Sequence, residues 1–175
     1  MAMLVSIGIS VAAAPVLAFN PPAQPAVQLP LVVFAKGAAT PTELAQMVLQ
    51  ALQNNNFENL NGILLDDEAL GSLKNKGTED MKALLENKSA DEIKNNLKIE
   101  YEQIVQKGIS QTINWSEVIL AEAKAGKGSP KNPMVQPITL TLTNKAKQPV
   151  QIVLETAKLN NRYFLFQRME LKPAA

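Results

Sequence analysis

Apolar residues between positions 40 and 108 recur at intervals of three and four, the spacing that places them on one face of a helix. The first stripe comprises Leu44, Met47, Val48, Ala51 and Leu52. It follows Thr40-Pro41-Thr42-Glu43, where a capping threonine, a proline at the first helical position and a glutamate three residues after the cap predict a helix start. The asparagines at 54–56 predict the helix end, because asparagine tolerates left-handed backbone.

The same spacing predicts three further helical stretches. A short one carries Phe57, Leu60, Ile63 and Leu64. Gly77-Thr78-Glu79-Asp80 starts the next, whose inward residues are Met81, Leu84 and Leu85. The capping box Ser89-Ala90-Asp91-Glu92 opens the longest stretch, which Gly108 ends. Its apolar face comprises Ile93, Leu97, Tyr101, Ile104 and Val105.

After Gly108 the period of the apolar residues changes to two, as it does in strands. Residues 138–143 alternate strictly between apolar side chains and threonine. Further strands are predicted at 118–123, 150–157 and 163–171, with Asn160-Asn161 as the hairpin turn between the last two. Helices followed by hairpin-linked strands predict an α+β fold, in which N-terminal helices cover one face of an antiparallel sheet of about four strands.

Residues 1–19 contain no charged side chain, and the run from Leu4 to Leu17 has the length of a signal-peptide apolar region. Val16-Leu17-Ala18 has small residues where a signal peptidase reads them, which predicts cleavage after Ala18 and export to the periplasm or the extracellular space. No Lys or Arg precedes the run, so an uncleaved membrane anchor stays open, because about 20 apolar residues can span a bilayer. A buried N-terminal helix or strand is a third interpretation.

Prolines at 21, 22, 25 and 30 favour extended backbone and oppose helix, so residues 20–39 are predicted to form a proline-rich tether. Within it, Leu31-Val32-Val33-Phe34 is predicted to dock on the folded body as a short strand. The alternative is that this run ends a longer processed leader. The predicted organisation is therefore a signal peptide or anchor at 1–19, the tether at 20–39 and a single α+β domain at 40–175.

The charge balance and two missing residue types exclude several classes of function. The 17 basic and 16 acidic side chains leave a net charge of +1, and only 5% of residues are aromatic, which argues against a nucleic-acid partner. The absence of Cys and His excludes thiol nucleophiles, thiolate and imidazole metal ligands, a Ser-His-Asp triad and a lipid-modified N-terminal cysteine. No catalytic residue, cofactor or metal is predicted, and no membrane contact beyond the N-terminal segment.

Three stretches carry a resemblance to a known architecture. Val48-Leu49-Gln50-Ala51-Leu52-Gln53-Asn54-Asn55-Asn56-Phe57-Glu58-Asn59-Leu60 and Asn161-Arg162-Tyr163-Phe164-Leu165 resemble the opening helices and the last hairpin of the nuclear-transport-factor-2-like, cystatin-like cone. The stretch from Tyr101 through Gly108 to Ile113-Asn114-Trp115-Ser116-Glu117-Val118 looks like small exported bacterial proteins of unknown function that share this cone. The resemblance covers 40–172 and implies helices folded against a curved antiparallel sheet. The family hosts isomerases, dehydratases and binding modules, so the fold alone does not assign a function.

Aromatic residues are the candidates for a ligand pocket. They are Tyr101, Trp115, Tyr163, Phe164 and Phe166. Each also has a structural interpretation: Trp115 would pack against Tyr101 at the junction of helices and sheet, and one face of the strand 163–166 would be core. Alternation places Phe164 and Phe166 on one face of that strand, and Tyr163 with Leu165 on the other.

Charged and glycine-rich stretches provide weaker candidates. Asp66-Asp67-Glu68 is either an oxygen-ligand metal site or, without the glycine-centred calcium-loop spacing, a helix end. The stretch 126–131 resembles a phosphate loop but lacks the strand and helix that such a loop joins. Glu155 is predicted to pair with Arg168 across neighbouring strands. The remaining charges considered, also predicted as exposed, are Glu100, Glu102, Arg162 and Glu170.

The sequence therefore favours a non-catalytic exported or cell-envelope module that binds an unknown small ligand or a protein partner. Two alternatives stay open. One is a cone-type enzyme that uses a buried Asp, Glu or Tyr, and the other is a structural protein that forms a homodimer through its sheet.

Overall fold

The computed structural model describes residues 36–128, 130–145 and 148–172. Its helices are α1 (Pro41–Gln53), α2 (Asp67–Lys76), α3 (Glu79–Leu85) and α4 (Ala90–Ser110), with short 3₁₀ helices at Phe57–Leu60 and Trp115–Glu117. Its strands are β1 (Ile119–Ala125), β2 (Val135–Thr143), β3 (Pro149–Leu159) and β4 (Arg162–Lys172). The predicted leader at 1–19 and the predicted docking strand at 31–34 lie outside the described residues.

The four strands form one antiparallel sheet in the order β1-β2-β3-β4. Helix α1 packs against β1, and α4 packs against β4. The predicted α+β fold, with helices on a four-stranded antiparallel sheet, is confirmed. Among the described residues, no helix is both long enough and apolar enough to cross a membrane.

Capping side chains begin the helices where the sequence predicts helix starts. The Thr40 hydroxyl accepts from the Glu43 backbone N–H at 3.0 Å, and the Ser89 hydroxyl accepts from the Glu92 N–H at 3.1 Å. Helix α2 was not predicted, because it buries only Leu70 and Leu73 and so has little apolar stripe. In place of the predicted stretch from Phe57 to Leu64, the chain forms one 3₁₀ turn.

The two faces of the sheet differ sharply in burial. On β2 and β3 the helix-facing residues are completely buried hydrocarbon side chains: Ile138, Leu140, Leu142, Ile152 and Leu154. The residues between them, such as Thr139, Thr141 and Gln151, are only half-buried. The helices therefore cover one face, which is the arrangement that strict alternation predicts.

The first half of β4 is buried on both of its faces, from Tyr163 to Phe166. Its outer edge is occupied by other parts of the chain: Tyr163 and Ala38 exchange hydrogen bonds of 2.7 and 2.9 Å, and the Leu165 N–H donates to the Ile63 carbonyl at 2.8 Å. Because Gly37 and Ala38 are buried there, the folded body begins inside the range predicted as tether. Both faces of this strand segment are core, where the alternation predicted one.

The single tryptophan closes the junction between α4 and the sheet. A Cβ added at Gly108 would lie 2.5 Å from Trp115 Cε2, so the indole occupies the space that a side chain at 108 would need. Tyr101 has a different aromatic partner, Phe57, with ring centroids 5.6 Å apart in an edge-on arrangement. The Tyr101 hydroxyl donates to the Ala51 carbonyl at 2.8 Å, which ties α4 to α1.

We expect Gly108→Ala to lower the free energy of unfolding by about 1–3 kcal/mol, the usual cost of overpacking a core. Gly71→Ala is the matched control, because Gly71 lies inside α2 and nothing lies within 4 Å of its added Cβ. That control should gain up to about 1 kcal/mol from helix propensity. Denaturant unfolding of both variants measures the difference. Equal stabilisation of the two would show that the indole does not rest on Gly108.

Candidate functional site

The space between the helices and the sheet is filled by side chains. The helix-facing residues of β2 are completely buried, as are Leu44, Leu52, Leu97 and Ile104 from the helices. These residues line none of the surface depressions described below. A ligand would therefore be held on the surface of the described body.

Depressions of about 450 to 470 Å³ lie at three places on the described surface, within the range usual for small-molecule sites. The helix groove lies between the end of α1 and α4, and includes Asn55, Phe57, Lys98 and Tyr101. A second depression surrounds Gly37. The third, here called the open-face pocket, lies on the sheet face turned away from the helices.

The structure does not gather the five predicted aromatic residues around one cavity. Tyr101 contributes to the helix groove, although its side chain is only 3% exposed. Phe164 lines a smaller depression of about 150 Å³ beside Lys36. Trp115, Tyr163 and Phe166 line none of these depressions and are buried in the core.

The open-face pocket is built on an irregularity in the sheet. Its lining residues are Lys127, Val135, Pro137, Val153, Leu154, Glu155, Arg168, Glu170 and Lys172. Leu154 pairs with Met169 and Thr156 pairs with Leu165, so Glu155 alone faces the three residues 166–168 of β4. Such a bulge breaks the ladder locally and redirects side chains, and bulges are frequent next to functional sites.

Most of the charges in the open-face pocket pair with each other. Arg168 Nη2 lies 3.0 Å from Glu170 Oε2, and Lys172 Nζ lies 2.7 Å from Glu170 Oε1. The hydrogen bond from Lys172, together with the charges of Arg168 and Lys172, lowers the pKa of Glu170. The prediction that Arg168 pairs with Glu155 is wrong. Arg168 is one of the residues that face Glu155, but its guanidinium group forms an ion pair with Glu170, two residues further along the same strand.

Glu155 is the carboxyl group of the open-face pocket that takes no part in these ion pairs. It is half-buried, and none of the hydrogen bonds or ion pairs among the described residues involves its side chain. Burial raises its pKa, and the nearby charge of Arg168 opposes this shift only in part. Lys127, an exposed residue on the rim, also has no partner among the described side chains.

A further carboxyl group approaches the same region from α4. The Met169 backbone N–H donates to Glu100 Oε2 at 2.6 Å, which satisfies the outer edge of β4 beyond the bulge. Burial is the main cause that raises the pKa of Glu100, and the charges of Glu155 and Glu170 add to it. Carboxyl groups with altered pKa values therefore cluster around Arg168, which marks this region as a candidate site.

The acidic run Asp66-Asp67-Glu68 begins α2. Asp66 Oδ1 accepts from the Ala69 backbone N–H at 2.8 Å, and the carboxylate pairs with Lys36. The hydrogen bond from Lys36 is the main cause that lowers the pKa of Asp66. Among the described residues, no group of three acidic side chains is placed to hold a metal ion.

Comparisons of this chain with models of protein families, with curated proteins and with solved structures return no match. The resemblance to the nuclear-transport-factor-2-like cone therefore stays a prediction.

A signal for the open-face pocket was present in the sequence. Apart from Val153, the apolar residues of β3 occupy even positions up to Leu154 and odd positions from Ala157, so the alternation changes phase between Leu154 and Ala157. Such a change indicates an irregularity in strand pairing, and the structure places its extra residues on β4, at 166–168. Only the tertiary structure shows that Arg168 pairs with Glu170 and that no described residue pairs with Glu155.

We expect Glu155→Gln to raise the free energy of unfolding at neutral pH. Because burial raises the pKa of Glu155 in the folded state, the protonated carboxyl group is favoured there, and stability falls as pH rises through that pKa. The amide removes this loss, so the variant's advantage should shrink as the pH falls below the folded pKa. Denaturant unfolding from pH 3 to pH 8 measures it.

Glu102→Gln is the control for this pH dependence, because Glu102 is exposed in the middle of α4. Its stability difference from the parent should change little over the same pH range. A Glu155→Gln advantage that grows toward acid pH would contradict the assignment of a raised pKa.

Proposed function

We propose that this chain is a non-catalytic exported binding module, and that its open-face pocket holds a primary amine carried on a short apolar body. The observation that carries the proposal is the half-buried Glu155 carboxyl group, which has no partner within the described part of the chain, in a pocket whose other acid is already paired. An ammonium group from a ligand would offset the cost of ionising Glu155 in that place.

The pocket supplies the other contacts that such a ligand requires. Its volume of about 460 Å³ suits a small molecule or one extended side chain. Val135, Pro137 and Val153 offer apolar surface to the ligand body. Lys127 on the rim is available to a carboxylate at the other end of the ligand. A zwitterion such as a lysine-like amino acid would use both charges.

A binding role is favoured over catalysis by the surroundings of Glu155. A general acid or base is normally oriented by a hydrogen bond to a further group. Among the described residues Glu155 makes no such bond. The hydroxyl group of Tyr101 is also committed, since it donates to the Ala51 carbonyl.

Export is the part of the proposal that rests on the sequence. The apolar run Leu4 to Leu17, followed by small residues up to Ala18, is typical of a signal peptide. A module of this kind would meet its ligand in the periplasm or outside the cell.

Titration of the full chain with butylamine tests the pocket. We expect butylamine to shift the backbone amide resonances of residues 153–156 and 168–170, with a dissociation constant in roughly the millimolar range of a small probe. Butyrate, the anionic probe of equal length, should leave residues 153–156 unchanged. Glu155→Gln should remove the response to butylamine.

Glu102→Gln serves as the matched variant, because Glu102 lines the helix groove and not the open-face pocket. It should respond to butylamine like the parent chain. A response that survives in Glu155→Gln but disappears in Glu102→Gln would move the site to the helix groove and refute the proposal for the pocket.

Intact-mass measurement tests export separately. The full chain, expressed in a bacterium and recovered from its periplasm or medium, should lack residues 1–18. A recovered chain that retains them would refute the cleaved signal peptide and favour the uncleaved anchor.

A further inference from the structure

The two edge strands of the sheet differ in whether other described residues bind their outer backbone groups. The outer edge of β4 is occupied by Ala38, Ile63 and the Glu100 carboxylate. Strand β1, at the opposite edge, pairs only with β2 among the described residues, and most of it is exposed. An open strand edge is a template for another strand, because its free N–H and C=O groups can continue the sheet.

The backbone of β1 shows which groups point outward. The Gly126 N–H donates to the Pro137 carbonyl at 2.8 Å, so residue 126 faces β2. Successive residues of a strand direct their N–H and C=O groups to opposite sides. Ala125 and Ala123 therefore present these groups to the open edge, and Lys124 and Glu122 present theirs to β2.

We propose that a second copy of this chain pairs with β1 in an antiparallel manner, with Ala123 opposite Ala123 on a twofold axis. The two sheets then become one sheet of eight strands. Residue 123 forms a hydrogen-bonded pair with its copy. Ala125 lies in the paired stretch on one side of the axis, and the bulge residue Ala121 ends it on the other. The alanines leave the two backbones free to approach, and the bulge between Leu120 and Glu122 lies at the end of the paired stretch.

Charge complementarity selects this register. With the axis at Ala123, each Glu122 lies opposite a Lys124 of the other copy, so two opposite-charge pairs form. Both are non-hydrogen-bonded pairs, in which the Cα atoms lie about 4.5 Å apart and side chains are close. Moving the axis to residue 122 sets glutamate against glutamate, and moving it to 124 sets lysine against lysine.

An exposed apolar side chain at the start of β1 is consistent with pairing to a second copy of the chain. Ile119 is 64% exposed, the highest value among the large apolar side chains described. Because the bulge adds one residue between Leu120 and Glu122, Ile119 lies opposite Gly126 of the other copy, at the end of the paired stretch. Pairing over about five residues buries less than the roughly 1,200 Å² of a stable interface, so the dimer is a weak one.

Sedimentation velocity of the full chain from 10 µM to 1 mM at low salt tests the proposal. The parent chain should shift from monomer to dimer over this range. Glu122→Lys should weaken the dimer about tenfold or more, because it sets lysine against lysine twice, and Lys124→Glu should do the same with glutamates. The double swap, Glu122→Lys with Lys124→Glu, should restore the parent affinity.

Mixing the two single variants tests the proposed charge pairing most directly. Each should be mainly monomeric alone, and the mixture should form a heterodimer of parent-like affinity, because every lysine then meets a glutamate. Circular dichroism confirms that the variants fold. A chain that stays monomeric at 1 mM, or a double swap and a mixture without recovery, would overturn the proposal. Amide-exchange protection of 121–125 that does not depend on concentration would show that another segment of the same chain covers the edge.

Discussion

The first half of β4 is buried on both faces and along its outer edge, and the rest of the described structure is arranged around that requirement. A buried backbone N–H or C=O group without a partner costs about as much as a lost hydrogen bond. Ala38, Ile63 and Glu100 come from three distant parts of the sequence to satisfy Tyr163, Leu165 and Met169. The segment before α1, the turn after Leu60 and helix α4 are thereby fixed relative to the sheet.

Close packing around the buried aromatic residues also explains why glycine occupies two positions. Gly37 adopts a φ of 80°, and a Cβ there would lie 2.7 Å from Phe164 Cζ. The chain can pass over the Phe164 ring only because residue 37 is glycine. Gly108 has the same role beneath the Trp115 indole. The aromatic residues that composition favours as pocket walls thus serve to close the core.

The charged side chains of the two proposed sites lie on parts of the sheet that the helices do not cover. The bulge places three residues of β4, 166–168, opposite Glu155 of β3, between the buried residues Leu154 and Thr156. The consequence is a carboxyl group held half-buried beside strands whose charges are already paired. At the far edge, β1 has no partner on its outer side among the described residues, and it carries the opposite charges of Glu122 and Lys124. The proposed ligand pocket and the proposed self-association therefore use different features of one sheet.

The sequence by itself determined the class of fold and most element positions, because capping boxes and hydrophobic periods are local properties. Thr40 and Ser89 begin their helices as expected, and the alternation at 138–143 is a strand with one buried face. Helix α2 was not predicted from the sequence, because it buries few residues and so its apolar residues show little helical periodicity. What only the tertiary structure decided is which groups meet. Arg168 pairs with Glu170, no other described residue pairs with Glu155, and four successive residues of β4 are all buried. These outcomes depend on strand register and on distant segments that a local pattern does not contain.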